Sequence, residues 1–187
     1  MPVMTSQQRE DLLKLARSAV MAAASGQPLP EEPEDEAFRC RRGAFVTLKK
    51  DGSLRGCIGH FTGTGSLGRT IVDMAASAAV NDPRFSPVRP WEVEGLSIDI
   101  SILSPLEPAV PEDVVPGTHG LYIKLGFRSG TLLPQVAAEE GWDRGTFLAH
   151  TCLKAGLPPD SWKRDDVEIY TYTAEVFGEE EEGAYGK

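Results

Sequence analysis

From Leu96 to Leu103 the chain reads Leu-Ser-Ile-Asp-Ile-Ser-Ile-Leu, with apolar residues at every even position and polar ones at the odd positions until Leu103. A period of two describes a β-strand with one buried and one wet face. Such strands belong to antiparallel sheets, whereas strands of parallel sheets are covered on both faces and read as continuous apolar runs. Residues 43–50 are also strand-like, and Asp51-Gly52 supplies the positive backbone angles of a tight two-residue turn, so residues 53–59 are expected to fold back as the partner strand. Residues 121–125 and 131–133 make a second hairpin signal, joined through residues 126–130.

Helices are expected between these strands. Thr5 or Ser6 caps the first, Gln8 stands three after Thr5 as in a capping box, and Leu12, Leu15, Ala16, Ala19, Val20 and Ala23 fall on one stripe before Gly26. Ser66 caps a second, whose apolar face of Leu67, Ile71, Met74, Ala75 and Ala78 ends near Asn81-Asp82-Pro83. Two more are expected at 134–140 and 143–155, the latter capped by Asp143, and residues 167–177 close the ordered part as a single strand. Hairpins alternating with helices, without a strict strand-helix-strand rhythm, indicate an α+β fold with antiparallel or mixed sheets. The hairpin-then-helix pattern occurs twice, which raises an internal duplication, although no residue-level repeat accompanies it.

A chain of 187 residues with 41% hydrophobic content can bury one sizeable core, so a single domain over residues 1–187 is expected. The formal charge of −9 is local: nine carboxylates sit within residues 31–36 and 179–182, and the 19 acidic residues that remain equal the 19 Lys and Arg. The acidity is thus assigned to a Pro-rich loop at 27–36 and a flexible tail at 178–187, both expected to be solvated. A neutral body argues against a broad basic face for nucleic acid. No run approaches the ~18 apolar residues of a membrane span, and residues 1–10 are polar, so no membrane association and a cytoplasmic location are expected. Cys40, Cys57 and Cys152 form no Cys-x-x-Cys pair and read as free thiols.

Chemistry is concentrated at residues 54–59. Alternation along a regular strand puts Leu54 and Ile58 on the core face and Arg55 with Cys57 on the other. A thiol beside a fixed positive charge has its thiolate stabilised, which makes Cys57 a candidate nucleophile or ligand. Gly56 and Gly59 would leave backbone open to a substrate. The competing reading makes Cys57 a small buried apolar residue and Arg55 a structural ion-pairing group. A nucleophilic cysteine calls for a base, and the chain offers His60, His119 and His150. His60 falls on the face opposite Cys57 unless a bulge at Gly59 realigns it. His119 sits in a glycine-flanked loop, and His150 and Cys152 point apart on a helix, so no local metal site is expected. Asp82 and Arg84, just past a helix end, cap and pair with neighbours or serve catalysis. Gln135 falls in the first turn of a helix, where amides can hold an anion or a carbonyl. Trp91, Trp142 and Trp162 are expected in a core or between lobes.

The words Leu-Arg-Gly-Cys-Ile-Gly at 54–59, Asp-Pro-Arg-Phe at 82–85, His-Gly-Leu at 119–121, Leu-Pro-Gln-Val-Ala at 133–137, Gly-Trp at 141–142 and Lys-Ala-Gly-Leu at 154–157 together resemble the AMMECR domain family. The resemblance runs in order over about residues 43–177. It implies an α+β fold of two lobes, each an antiparallel sheet with flanking helices, with a cleft between them holding residues 54–59. It also implies a cytoplasmic protein that, in many prokaryotes, accompanies a Memo-like protein and a radical S-adenosylmethionine protein, the AmmeMemoRadiSam group. The family carries no firmly established activity, so two functions follow as expectations. One is an enzyme or enzyme component with Cys57, Arg55, His119 and Asp82 as catalytic residues and Gly56, Gly59, Arg84 and Gln135 binding substrate. The other is a non-catalytic adaptor for one of those partners. Phe85, Gly120 and Pro134 also match the family, while His60 stands where other members can have Thr. No cofactor is named by the residues or by the resemblance.

Overall fold

A computed structural model describes residues 4–63 and 65–182. The chain divides into two units, one of residues 1–103 with 175–187 and one of residues 104–174.

The first unit begins with α1 (Ser6–Ser25), which opens on a complete Thr5/Gln8 capping box and closes on Gly26 at φ 66°. The hairpin β1 (Ala44–Lys50) and β2 (Ser53–His60) turns through Asp51 and Gly52, at φ 50° and 74°. These two positive angles are what a right-twisted hairpin needs. Then come α2 (Leu67–Val80), capped by Ser66, and β3 (Leu96–Leu103). The last strand of this sheet is β8 (Ala174–Gly178), and the order is β2-β1-β3-β8, with β1 antiparallel to both neighbours. The alternation that marks residues 96–103 places Ile98, Ile100 and Ile102 beside Leu48, Val46 and Ala44 on one face. That face packs with Leu12, Ala16, Ala19, Ile71 and Ala75 from the two helices. Each Leu or Ile so buried contributes roughly 1.5–3 kcal/mol.

The second unit holds the short β4 (Glu107–Pro108), the hairpin β5 (Gly120–Leu125) and β6 (Arg128–Leu132), the helices α3 (Pro134–Glu139) and α4 (Arg144–Lys154), and β7 (Glu168–Tyr172). Its antiparallel sheet has the order β4-β7-β5-β6. Leu121, Ile123 and Ile169 pack against Phe147, Leu148 and Cys152 of α4. The expected α+β architecture, an antiparallel sheet with helices in each part, is what the chain adopts.

Several local expectations change. The single strand at 167–177 is two strands, β7 and β8, interrupted at Thr173 and belonging to different sheets. The acidic loop is not simply solvated: Glu32 accepts the Ser66 hydroxyl and the Arg69 N–H at the start of α2, and Asp35 caps a 3-10 turn that buries Phe38. The tail begins as α5 (Glu179–Glu182). Glu179 receives Arg17 Nε at 2.6 Å and the Ile98 N–H at 2.9 Å, because burying three main-chain or guanidinium donors near the end of β3 calls for a charged acceptor. Among the described residues no helix is long and apolar enough to cross a membrane.

Candidate functional site

Strand β2 lies at the edge of its sheet, and its register on β1 slips once. Thr47 faces Cys57 and Leu48 faces Gly56, but Lys49 faces Leu54, so Arg55 is the extra residue of a bulge. This breaks the alternation on which the pairing of Arg55 with Cys57 depends. Leu54, expected in the core, is 44% exposed. The Arg55 guanidinium is held by the Ser86 carbonyl at 2.9 Å and by Glu92 at 3.4 Å. Glu92 is kept below the usual carboxylate range, first by the Arg89 N–H and also by Arg55. Arg55 is therefore an ion-pairing residue of the bulge, and its expected role at the thiol needs another guanidinium.

Arg84 supplies one. On an edge strand the outward main-chain groups of a residue lack a neighbouring strand. At Cys57 both are taken by side chains: Asp82 Oδ2 accepts the Cys57 N–H at 2.9 Å, and Arg84 Nη2 donates to the Cys57 carbonyl at 3.1 Å. Asp82 reaches this place because α2 ends at Val80 and the chain turns at Pro83. Its carboxylate also accepts Arg84 Nε at 2.9 Å, Nη2 at 2.7 Å and the Arg84 N–H at 3.1 Å. A carboxylate with four donors, two from a guanidinium, stays ionised. Chiefly through Arg84, its pKa is held far below the ordinary range. Among the catalytic roles open to Asp82, proton transfer does not suit such a group; its contacts hold Arg84 and the Cys57 main chain.

The side chain of Cys57 is half-buried and shares the sheet face opposite the helices with Thr47. Since the main-chain groups of Cys57 point away from β1, the two residues form a close, non-hydrogen-bonded pair. The Thr47 hydroxyl donates to Cys57 Sγ at 3.2 Å. Arg84's own pKa is raised, first by Asp82, with the charge of a Cys57 thiolate adding to the effect.

The glycines are not open backbone. A Cβ at Gly56 would lie 2.3 Å from the Ala78 carbonyl oxygen of α2, and one at Gly59 would lie 2.2 Å from the ring of Phe45. Helix backbone and an aromatic ring fill the space that a substrate was expected to use. The bulge sits at Arg55 rather than at Gly59, so His60 stays on the face opposite Cys57 and is exposed.

His119 and Gln135 belong to the second unit. The Nδ1 of His119 accepts the Val115 N–H at 3.2 Å, so a neutral ring carries its proton on Nε2. Gln135 sits in the first turn of the six-residue α3, and its Oε1 is buried with no partner among the described residues. A buried acceptor invites a donor, not the anion or carbonyl expected there. His150 is exposed and stacked on Trp142, ring centroids 4.0 Å apart. Trp162 packs at the edge of the second core, but Trp91, expected inside, is 79% exposed. Among the described residues no three His, Cys, Asp or Glu side chains converge as metal ligands.

The AMMECR1 family model matches residues 13–177, which include every residue of this arrangement. The chain belongs to the AMMECR1 family. A protein from Methanopyrus kandleri is 47% identical over 95% of this chain and 91% of its own, and one from Methanothermobacter thermautotrophicus is 42% identical over 90% and 93%. The crystal structure of an uncharacterised protein from Pyrococcus horikoshii matches with a TM-score of 0.86 at 40% identity, over 90% of each chain. Within this AMMECR1 chain, the sequence reading missed Thr47 and Glu92. An unslipped hairpin register would have set Thr47 opposite Gly56, and only the bulge brings it to Cys57.

Proposed function

We propose that this AMMECR1 protein is an enzyme or enzyme component in which Cys57 is the nucleophile, Arg84 holds its thiolate, and Asp82 and Thr47 position the pair. The observation that carries this reading is the set of three contacts on Cys57: Asp82 on its N–H, Arg84 on its carbonyl, and the Thr47 hydroxyl on its sulfur. A cysteine kept only for packing is sealed among apolar side chains, whereas Cys57 is half-buried and carries a hydroxyl contact on its sulfur. The thiol gives its proton to solvent, the sulfur forms a bond to an electrophilic carbon, and the displaced group leaves with the electron pair of the bond that breaks. His119, with Nε2 free to exchange a proton, is needed in none of these steps. A cytoplasmic location, where thiols remain reduced, belongs to the same reading.

The test is the rate of Cys57 alkylation by iodoacetamide as a function of pH, read by peptide mapping because Cys40 is also exposed. Arg84→Gln is expected to slow the reaction several-fold at pH 7 and to move its rise to higher pH. A Cys57 that reacts only after unfolding, or whose pH profile ignores Arg84, would sink the proposal.

A second reading, an adaptor for a Memo-like or radical S-adenosylmethionine partner as in the AmmeMemoRadiSam group, has its own support. Trp91 is exposed on a 3-10 turn that Arg89 and Glu92 hold rigid, and rigid exposed tryptophans are typical interface anchors. That reading requires Cys57→Ser to leave partner copurification intact.

A further inference from the structure

The ion pair that clamps Cys57 has a direction. Its carboxylate is inside, 2% exposed, while its guanidinium is 47% exposed. Of the five N–H donors on the Arg84 side chain, the one on Nε goes to Asp82 and those on Nη2 serve Asp82 and the Cys57 carbonyl. The two on Nη1 have no partner among the described residues. The Phe85 ring lies 5.4 Å from the guanidinium carbon and helps to fix its plane. Although the pair is neutral in sum, its negative end is capped and buried, and its positive end is half-exposed and bonded to the carbonyl of the residue that carries the sulfur.

We propose that Arg84 Nη1 is the recognition point for an oxyanion, a carboxylate or a phosphate group, carried by the molecule that Cys57 attacks. The proposal rests on the nucleophile reading above and adds the class of ligand to it. A guanidinium whose other donors are already engaged offers Nη1 without the need to reorganise, which is the condition for selective recognition of an oxygen acceptor. A Cys57 thiolate stands near the same guanidinium and opposes a second negative charge. The expected preference is therefore modest, about fivefold, the size of an ion pair at a half-exposed site.

Iodoacetate and iodoacetamide differ in that the first carries a carboxylate; in both, the C–S bond forms as the C–I bond breaks and iodide leaves. The rates at Cys57 are to be compared in a Cys40→Ser protein, each divided by the rate for the same cysteine in the urea-unfolded chain. Folded protein is expected to favour iodoacetate about fivefold, Arg84→Gln to abolish the preference and Arg84→Lys to keep part of it. In protein with Arg84 intact, acetate or inorganic phosphate is expected to slow alkylation by iodoacetamide, and whichever protects at the lower concentration identifies the group. These protection arms decide the matter even if Arg84→Gln does not fold. Ready reaction with iodoacetamide, without preference for iodoacetate or protection by either anion, overturns the oxyanion site and leaves the nucleophile standing. A preference that survives in folded Arg84→Gln also overturns it. A Cys57 inert to both reagents in the folded state removes the nucleophile and this site with it.

Discussion

In both units a hairpin is followed by helix and then by a strand that returns beside the hairpin's first strand, giving β2-β1-β3 in one and β6-β5-β7 in the other. Each has a glycine on the hairpin's second strand, pressed against the C-terminal end of a following helix: Gly56 on Ala78 of α2, Gly130 on Lys154 and Ala155 at the end of α4. The next residue is Cys57 in the first unit and Thr131 in the second, and here the units part. The β5–β6 register runs without a slip, and the Thr131 hydroxyl bonds the Leu121 carbonyl and the Tyr172 phenol, whose burial keeps it protonated. The β1–β2 register slips at Arg55, and Cys57, a half-buried residue, is held by an ion pair through its main chain. One scaffold thus carries a position satisfied by neutral groups and another held through its main chain by an ion pair. The difference comes from the slipped register at Arg55 and from two residues beyond a helix end, Asp82 and Arg84.

The shared plan is tested most severely at its glycines. A Cβ at Gly56 meets the Ala78 oxygen at 2.3 Å, and one at Gly130 meets the Ala155 nitrogen at 2.4 Å, both main-chain atoms that cannot rotate away. Gly56→Ala and Gly130→Ala are each expected to cost about 3 kcal/mol in urea unfolding. A loss at one position and tolerance at the other would break the parallel between the units. The divergence is tested next, by Asp82→Asn and Thr131→Val. Losing a buried ionised acceptor with four donors is expected to cost about 2 kcal/mol, and losing the neutral hydroxyl about 1 kcal/mol. Because the folded Asp82 is held below its ordinary value, its contribution is complete above the unfolded value of about 4 and fades as the pH falls from there through the folded one. Asp82→Asn should therefore flatten the acid side of the stability curve, and Thr131→Val should leave its slope unchanged.

Much of this was legible in the residues. Period-two alternation gave β3, the Asp51-Gly52 pair gave the hairpin, and Thr5, Ser66 and Asp143 gave three helix starts, since each signal acts through neighbours in sequence. Cys57 and the neighbourhood of Asp82 and Arg84 were also singled out. What could not be read was the bulge, because nothing local to Leu54-Arg55-Gly56 requires a slipped register; it is set by Gly56 packing on α2 and by Glu92, 37 residues away. With the bulge unseen, Arg55 was assigned the role that we propose for Arg84, and the two glycines looked open when helix and ring fill them. The break at Thr173 escaped for a similar reason. A run of β-branched and aromatic residues reports the propensity to be strand but not which sheet it joins.

The smallest effect sharpens the comparison most, since it separates the two arginines. Arg55 and Glu92 are largely buried and 3.4 Å apart, a loose contact shared with Lys50 at 3.9 Å. Arg55→Met keeps the length of the side chain and removes the charge, so about 1 kcal/mol of stability should be lost, mostly through the unpaired Glu92 and the Ser86 carbonyl. Cys57 should not notice: the Thr47, Asp82 and Arg84 contacts to its sulfur and main chain are made without Arg55. Iodoacetamide alkylation of Arg55→Met at pH 7 should accordingly match that of the unaltered protein, while Arg84→Gln slows it. If Arg55→Met slows the thiol as much as Arg84→Gln does, charge reaches the sulfur from the bulge as well as from the helix end, and the clamp by Asp82 and Arg84 is no longer what distinguishes the first unit from the second.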